Sequence, residues 1–291
     1  MSTSTSSFLS AADGTKIVTY SWTSVTGTPA AVVQIAHGLA EHGERYHRFA
    51  QALNAAGFLV HAVDHRGHGR TANGRLGDFG PAGFAGLIAD VAQFGAALRT
   101  QHGGLPLFLL GHSMGSFAAQ AAILDHASTW SGVVLSGSTA LDMLAAGMAN
   151  APPDAPTGLE AFNAGFVHRT GYEWLLRDEA EVDAYVADPW CGWDILDDVI
   201  PSLFAPAPRL ADANLLAGIR SDLPILIASG DADPLAGGGA LVQLLGQRYR
   251  DAGIVDVTVT LYPAARHEIL NETNRGEVTA DIISWLRAHA T

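Results

Sequence analysis

A serine between two glycines offers the clearest nucleophile in this chain. Ser113 stands in the sequence Gly111-His112-Ser113-Met114-Gly115. An apolar run precedes it over residues 107–110 and small apolar residues follow over 117–124, which predicts a strand, a tight turn and a helix. In that setting Gly-x-Ser-x-Gly is typical of a nucleophile elbow, because side chains at the glycine positions would collide with the strand or the helix. The alternative is a glycine-rich turn that only packs.

A serine hydroxyl is a weak nucleophile at neutral pH and needs a histidine base that an acid holds in place. On a sheet with this elbow, the acid and then the histidine follow the serine, on loops at the carboxyl ends of later strands. Asp231 and Asp233 share one such loop; we favour Asp233 as the acid and expect Asp231 to bond within the loop. Of the 12 histidines, only His267 and His289 come later. His267 follows the last predicted strand and is the expected base, whereas His289 lies near the chain end in a predicted helix.

Two backbone N–H groups are expected to stabilise the oxyanion that forms when the serine attacks a carbonyl group. One belongs to Met114, directly after the nucleophile, and the other to Leu39, in a loop that follows an earlier predicted strand. Gly38 lets the backbone of that loop approach the elbow and the substrate. His112 adjoins Ser113, but we expect its side chain to point away from the open side of the elbow.

These residues must be positioned by a central sheet. Short apolar runs predict strands over residues 31–36, 58–63, 107–110, 132–136, 224–230 and 257–262. Residues 8–22 alternate around Asp13-Gly14 and predict an edge hairpin. Helical patterns lie between the runs, for example over 84–99, and close the chain over 274–289. Strands that alternate with helices predict an α/β fold with a mostly parallel sheet and helices on both faces.

One long segment interrupts this alternation. From about residue 139 to 222 no comparable apolar strand occurs, and proline-rich breaks at 151–153 and 205–208 separate helix-like pieces such as 180–187. We predict a mostly helical cap over 140–222, inserted between core segments 1–139 and 223–291. Its aromatic residues favour an apolar pocket for an acyl chain, although they could equally form the core of the cap. Those aromatic residues are Phe162, Phe166, Tyr172, Trp174, Trp190, Trp193 and Phe204. We expect Phe166, Trp190 and Trp193, with Gly38, to contact the substrate.

Charge and composition narrow the classes of partner. The 291 residues carry 16 Lys and Arg against 29 Asp and Glu, a formal net charge of −13. Such a chain should repel nucleic acid and anionic membrane surfaces. A single cysteine, Cys191, excludes an internal disulfide, and neither a secretory signal nor a membrane-length apolar stretch stands out. We therefore expect a cytoplasmic protein.

The histidines of Asp64-His65-Arg66-Gly67-His68-Gly69 could suggest a metal site. Their spacing matches no common ligand set, and no cysteine supports them. We expect a structural loop with buried polar pairs, and neither a metal nor an organic cofactor.

Four stretches together resemble the monoacylglycerol lipase/lysophospholipase group of the α/β-hydrolase superfamily. They are residues 37–46, residues 64–69, residues 111–115, and residues 230–233 with the later His267. Ser116 and Thr71 depart from the residues common in this group, and residues 188–193 look closer to bacterial lysophospholipase-like members than to animal lipases. These departures affect the expected substrate more than the expected chemistry.

The resemblance implies an α/β-hydrolase fold and a set of site residues. The implied triad is Ser113, Asp233 and His267, with oxyanion N–H groups at Leu39 and Met114. The inserted segment would be the cap of that group, which forms an apolar tunnel for the acyl chain.

The expected reaction is hydrolysis of the carboxylic ester of a single-acyl-chain lipid, such as a monoacylglycerol or a lysophospholipid, or of a similar small ester. Short-chain carboxylesterase, thioesterase, lactonase, aminopeptidase and cofactor-free peroxidase activities stay open on the same fold. An aminopeptidase would need an acidic anchor in the cap, for which Glu160, Glu173, Asp178, Glu179 and Glu181 are available. Epoxide and haloalkane hydrolysis are disfavoured because they need a carboxylate nucleophile at position 113. The alternative outside enzymes is a ligand-binding protein without catalysis.

Four apolar side chains near the start of the cap suit either a transient contact with a lipid surface or packing against the core. They are Leu141, Met143, Leu144 and Met148. The sequence does not decide the acyl chain length, the head group or the oligomeric state.

Overall fold

The computed structural model describes residues 3–150, 158–196 and 198–290. Its strands are β1 (Ser4–Leu9), β2 (Lys16–Trp22), β3 (Ala31–Ala36), β4 (Phe58–Val63), β5 (Leu107–His112), β6 (Gly132–Ser136), β7 (Ile225–Gly230) and β8 (Val257–Tyr262). They form one sheet in the order β1-β2-β4-β3-β5-β6-β7-β8. β2 pairs antiparallel with β1 and β4, and the six strands β3 to β8 are parallel. The predicted α/β class is confirmed.

The apolar runs become strands because helices cover both faces of the sheet, so the parallel strands are buried on both sides. Every residue of β3, β4, β5, β6 and β7 is buried. The strand bounds agree with the sequence-based ones to within two residues, except in the N-terminal hairpin. There β1 begins at Ser4 rather than at residue 8, and its polar, exposed residues gave no apolar signal.

The long helices lie on both faces of the sheet. α1 (His47–Ala55) and α10 (Arg275–Ala288) pack on one face. α2 (Gly83–Gln101), α3 (Met114–His126) and α9 (Ala240–Asp251) pack on the other. Short 3-10 helices cover Gly43–Tyr46, Ala127–Thr129 and Pro234–Ala236. Because β3 to β8 are parallel, the loops that follow β3, β5, β7 and β8 meet at one edge of the sheet. Ligands of such sheets bind at this edge.

The residues between β6 and β7, called the insertion below, contain no strand in the part that the structure describes. They form α4 (Leu141–Ala149), a 3-10 helix (Gly158–Asn163), α5 (Glu179–Ala187), α6 (Val199–Phe204), α7 (Ala207–Leu210) and α8 (Ala213–Ala217). The predicted proline-rich break at 151–153 lies outside the described residues. In the whole described part of the chain, no helix is both long enough and apolar enough to cross a membrane.

Candidate active site

Ser113 lies in a sharp turn between β5 and α3. Its backbone has φ 51° and ψ −122°, a conformation that non-glycine residues rarely adopt. The turn is cramped, because a Cβ atom at Gly115 would overlap the carbonyl oxygen of Ala36 on the neighbouring strand. The Ser113 carbonyl accepts hydrogen bonds from the N–H groups of Ser116 (2.8 Å) and Phe117 (3.1 Å), which start α3. Strand, strained turn and helix thus have the geometry of a nucleophile elbow.

The structure brings Asp233 and His267 together in a buried pair. His267 Nδ1 lies 2.8 Å from Asp233 Oδ2, and both side chains are almost fully buried. The other carboxylate oxygen of Asp233 accepts from the N–H of Leu235 at 2.9 Å, which fixes the carboxylate plane. Asp231 instead accepts from the N–H of Ala264 at 2.6 Å in an exposed part of the same region. Asp233 thus contacts His267, whereas Asp231 bonds to the loop after β8 rather than within its own loop.

His267 is the group in the site with the chemistry of a base. Burial alone would lower its pKa, but the Asp233 carboxylate, with further help from Glu268 and Glu41, raises the pKa above the usual histidine value. With Nδ1 bound to Asp233, Nε2 is the nitrogen left to take a proton. The described hydrogen bonds of His267 do not include one to Ser113, and such contacts are often loose in a ligand-free enzyme.

His112 lies against the base and is buried. Its ring centroid is 4.8 Å from that of His267, and its Nδ1 lies 3.4 Å from the hydroxyl of Ser136. Burial, with the positive charge of protonated His267, lowers the pKa of His112 to about 4. His112 is therefore neutral at neutral pH and packs beside the base.

The loop after β3, called the oxyanion loop below (residues 37–41), comes close to the elbow. A Cβ atom at Gly38 would lie 3.2 Å from Ser113 Cβ and 3.2 Å from His112 Cδ2. Leu39 and Met114 line the same cavity as Ser113. In the described part of the chain, the N–H of Leu39 donates to no protein acceptor. The backbone of this loop therefore lies next to the elbow, on the side of the apolar cavity.

Both the core and the insertion hold the oxyanion loop in place. Within the loop, the N–H of Gly38 donates to Glu41 Oε1 at 2.5 Å. Ala40 has a φ of 55°, and its carbonyl accepts from the Tyr185 hydroxyl (2.8 Å) and the N–H of Gly192 (3.0 Å). Both of these donors belong to the insertion. The insertion is thus bonded directly to the loop that carries the predicted oxyanion donor.

A buried ion-pair network joins the oxyanion loop to the loop of the base. Arg45 donates to Glu41 at 2.7 Å and forms two further 2.7 Å hydrogen bonds with Glu268, next to His267. Burial is the largest influence on the pKa of Glu41 and would raise it, but Arg45, His112 and the hydrogen bonds from Gly38 and Tyr46 together lower the pKa. Glu41 and Arg45 lie in one of the four stretches that carry the family resemblance. No sequence signal pointed to Glu268 as their partner.

An apolar cavity opens at Ser113. It spans about 450 Å³, part of which is open to solvent. Its other wall residues are Leu39, Met114, Phe117, Leu144, Met148, Leu159, Phe162, Trp174, Ile200, Leu203, Phe204 and Leu235. Apart from the serine hydroxyl, the indole N–H of Trp174 is the one hydrogen-bond donor among these described side chains. Such a lining suits a hydrocarbon chain.

Three of the predicted substrate contacts are not in this wall. Phe166 lies under the Arg266 guanidinium, 4.5 Å from ring centroid to Cζ. Trp190 packs edge-on against His42 at 5.2 Å, and Trp193 packs against His68 at 5.1 Å. The structure places these aromatic residues outside the lining of this cavity, because ring and guanidinium partners elsewhere in the chain set their positions. Trp174 and Phe162 take their place.

The four apolar residues near the start of the insertion divide between the two expected roles. Leu144 and Met148 line the cavity, and Leu141 is 1% exposed. Met143 is 45% exposed and is the one that faces solvent.

A second, smaller cavity, called the polar cavity below, lies beside His112. Glu41, Arg45, Tyr46, Phe49, His112, Glu268, Leu270 and Asn271 line it. His112, the residue before Ser113, belongs to the wall of the polar cavity, whereas Ser113 itself does not. The network of two carboxylates and one guanidinium gives its wall one net negative charge.

The loop over residues 64–69 is structural, as expected. Asp64 accepts from the Tyr20 hydroxyl at 2.7 Å and from backbone N–H groups. Arg66 is fully buried and pairs with Asp13 and Asp90. His68 packs against the His37 ring at 5.0 Å. These contacts hold residues 64–69 in place against the oxyanion loop.

One group elsewhere in the described residues has metal-ligand types close together. His42, Asp188 and Cys191 place one ligand atom each within 4.8 Å of one another. His42 Nε2 already bonds to Asp188 at 2.9 Å, and burial raises the pKa of the Cys191 thiol, which keeps the thiol protonated. The nearby Arg45 guanidinium lowers the pKa of this thiol, but by less than burial raises it. A protonated thiol beside a guanidinium does not suit a cation, so we interpret the group as a contact between the insertion and the core.

Comparison with known proteins places this site in a family. Residues 27–274 match the family model Hydrolase_4, described as serine aminopeptidase, S33. The chain belongs to this family. One relative is the monoacylglycerol lipase of Mycolicibacterium smegmatis. It is 32% identical to this chain over 296 residues, which cover 95% of this chain and 94% of that protein. Human monoglyceride lipase is 28% identical over 281 residues, 90% and 82% of the two chains.

Solved structures agree with this placement. A thermostable carboxyl esterase from Bacillus coagulans, determined in complex with glycerol, covers all of both chains with a TM-score of 0.86 and 27% identity. A soluble variant of the Saccharomyces cerevisiae monoglyceride lipase aligns over 96% of this chain with a TM-score of 0.75, at 22% identity, and supports the fold. The resemblance to the monoacylglycerol lipase group that the four sequence stretches indicated is therefore confirmed.

Proposed function

We propose that this chain is a serine ester hydrolase that cleaves monoacylglycerols into a fatty acid and glycerol. The observation that carries the proposal is the position of Ser113 in the wall of an apolar cavity, on an elbow whose His112 lines the polar cavity. An apolar wall binds an acyl chain, and hydroxyl groups suit the polar wall. The similarity to monoacylglycerol lipases of bacterial and animal origin supports the same substrate class.

In the proposed mechanism, Ser113 Oγ attacks the ester carbonyl carbon while His267 Nε2 takes the hydroxyl proton. Asp233 keeps the Nδ1 proton in place and stabilises the imidazolium. The N–H groups of Leu39 and Met114 bind the oxyanion, and each such donor contributes roughly 3–4 kcal/mol of transition-state stabilisation. The tetrahedral intermediate then collapses, the bond to the alcohol oxygen breaks, and His267 gives its proton to that oxygen. Water repeats the sequence on the acyl-enzyme and releases the fatty acid.

The polar cavity favours a neutral head group over an anionic one. Glu41 and Glu268 bring two negative charges near the leaving alcohol, and Arg45 compensates one of them. A phosphate there would face a net negative wall, and its desolvation in a buried site costs several kcal/mol unless a cation pairs with it. We therefore place monoacylglycerol ahead of lysophospholipid as the substrate.

We also propose that residues 140–222 act as a cap on a hydrolase core made of 1–139 and 223–291. The wall residues Leu144, Phe162 and Trp174 all come from this segment. The described part of the segment exposes Met143, Val167, Val186 and Leu196 by 44% or more. These side chains would let the cap touch a lipid surface transiently, which co-sedimentation with neutral vesicles would detect.

An aminopeptidase would need a free carboxylate for the substrate amine. Glu173 is engaged by Thr170 and Asn163, and Asp178 by Arg275. Glu181 bonds to Arg48, Glu179 is exposed in the first turn of α5, and the side chain of Glu160 lies outside the described residues. The apolar wall at Ser113 favours an acyl chain instead.

A panel of esters tests the proposal. It would contain a monoacylglycerol, a diacylglycerol, a lysophospholipid and p-nitrophenyl esters of short and long chains, each with wild type and Ser113→Ala. We expect the monoacylglycerol and the long-chain nitrophenyl ester to be hydrolysed best and the variant to be inactive. Activity confined to acetate and butyrate esters would contradict the acyl-cavity assignment, and full activity in Ser113→Ala would contradict the nucleophile.

A further inference from the structure

The base of the proposed triad lies between two aromatic rings. On one side is His112, as described above. On the other is Trp174, whose indole centroid lies 4.9 Å from that of His267 at an interplanar angle of 36°. Trp174 comes from the insertion and is 3% exposed. A cation within about 6 Å of an indole face is attracted by the negative face of the ring.

The backbone keeps this contact in register. The carbonyl of Trp174 accepts from the N–H of His267 at 3.5 Å, and the carbonyl of Leu175 accepts from the N–H of Glu268 at 2.7 Å. The N–H of Trp174 donates to Asn163 Oδ1 at 2.9 Å. The insertion and the loop of the base are thus tied together at the residue whose indole covers the imidazole.

The indole itself is held by packing. Its ring lies 5.1 Å from that of Phe162, and its Nε1 has no hydrogen-bond partner among the described residues. Replacing the indole by a phenyl ring therefore removes no hydrogen bond from the described protein. The position is suited to substitutions that change the ring and little else.

We propose that Trp174 is a positioning residue that stabilises the protonated imidazole of His267 during acylation and deacylation. The form of His267 that takes the proton of serine or water is neutral, and it carries a positive charge once it holds that proton. The electrostatic attraction to the indole face is then present in the transition state and weak in the ground state, which is the condition for accelerating the reaction. This inference rests on the proposed function, because it assigns a role within the same catalytic cycle.

Other charged or titratable groups also face His267. They are Asp233 from the loop after β7, Glu268 from its own loop, Glu41 from the oxyanion loop and His112 from the end of β5. The three carboxylates stabilise the imidazolium and stay in place when Trp174 is changed. His112 is neutral at neutral pH, so it adds no repulsion there. Because Trp174 also lines the apolar cavity, a change there can alter substrate binding as well as the charge on His267, and the acid midpoint is the readout that isolates the effect on His267.

The test compares Trp174→Phe, Trp174→Leu and wild type, with Trp285→Phe as the matched control. Trp285 lies over His289 at 4.3 Å and 39°, which repeats the Trp–His geometry in α10, on the opposite face of the sheet. We expect the plateau kcat/KM to fall in the order Trp, Phe, Leu, with a total loss of about 2- to 30-fold for leucine. The acid midpoint of the pH profile should move to lower pH in the same order, and Trp285→Phe should leave both unchanged.

Fluorinated tryptophan gives a second arm that keeps the shape of the ring. Fluorine withdraws charge from the ring face, so fluorotryptophan incorporated into wild type should lower the acid midpoint. The same labelling of Trp174→Phe, which leaves the other tryptophans fluorinated, should not. This arm holds even where Trp174→Leu fails to fold.

An NMR titration of the His267 ring in the substrate-free protein, with the signal identified by its loss in His267→Ala, separates this inference from the proposed function. A midpoint that moves down with the weaker rings supports the contact even for a chain that hydrolyses none of the esters. Midpoints that stay the same in Trp174→Leu and in the fluorinated protein would overturn the proposal. A lower plateau without a moved midpoint would also overturn it, because it would mean that Trp174 only packs.

Discussion

The buried network around Arg45 gives the sharpest stability prediction. Arg45 is 11% exposed, and its partners Glu41 and Glu268 are 4% and 5% exposed. Arg45→Met keeps much of the aliphatic stem and removes the charge. Two carboxylates then remain buried without their cation, in the strip of structure that joins the oxyanion loop to the loop of the base.

The magnitude follows from the loss of a buried partner. Breaking a buried ion pair by removing one side costs about 3–5 kcal/mol, because the remaining charge is left without compensation. Here a single arginine serves both carboxylates, so we expect the free energy of unfolding to fall by at least about 3 kcal/mol at pH 7.5. Arg48→Met is the control. Arg48 is 47% exposed and pairs with Glu181, and an exposed pair contributes about 1 kcal/mol or less.

The pH dependence gives the same network a second signature. In wild type the pKa of Glu41 lies below its usual value, so its contribution to stability is present at neutral pH and is lost as the pH falls through that pKa. Without Arg45, burial dominates and raises the pKa instead, so protonation relieves the variant. The stability difference between wild type and Arg45→Met should therefore shrink between pH 7.5 and pH 5.5.

Urea unfolding followed by far-UV circular dichroism measures these differences. Arg45→Met/Glu268→Met should be more stable than Arg45→Met, since it removes one of the two unpaired carboxylates. The reasoning is refuted if Arg45→Met loses no more than Arg48→Met, or if its loss is the same at both pH values.

Three further outcomes follow from the site. Gly115→Ala should reduce kcat/KM by about 100-fold or more, because the new methyl group overlaps the Ala36 carbonyl and displaces the elbow; activity near wild type would contradict this. Asp233→Asn should lower kcat by about 10⁴-fold while Asp231→Asn stays close to wild type, and equal losses would mean that the acid is misassigned. Acid should unfold the protein steeply below pH 6, because burial keeps several histidines neutral in the folded state and the unfolded chain takes up their protons. Those histidines are His37, His61, His65, His68 and His112. As the pH falls, each of these histidines can remove up to about 1.4 kcal/mol of unfolding free energy per pH unit. An unfolding free energy that did not fall more steeply below pH 6 would contradict the view that these histidines are neutral in the folded state.

Much of the framework could be predicted from the sequence because each part has a local cause. The apolar runs of the parallel strands cannot be stable outside a covered sheet, and Gly111 and Gly115 have a steric reason at the elbow. Asp233 and His267 followed from chain order and from their place after strands. These constraints act over a few residues, so the sequence contains them directly.

The walls of the cavity had no such local signal. Trp174 precedes α5, and Trp190 and Trp193 follow it, in irregular segments with no helical or strand period to orient the side chains. Their directions depend on distant partners: His267 for Trp174, His42 for Trp190 and His68 for Trp193. The same holds for Glu268, whose guanidinium partner is 223 residues away. Packing between elements that are far apart in the chain decides such positions.

The identity of the nucleophile is the central claim, and covalent labelling tests it most directly. Wild type and Ser113→Ala would be treated with a long-chain fluorophosphonate, and peptide mass spectrometry and monoacylglycerol hydrolysis would be followed together. We predict one adduct per chain, located on Ser113, with hydrolysis lost in proportion to labelling and no adduct in the variant. Hydrolysis that persists after complete labelling, or an adduct on another residue, would contradict the account.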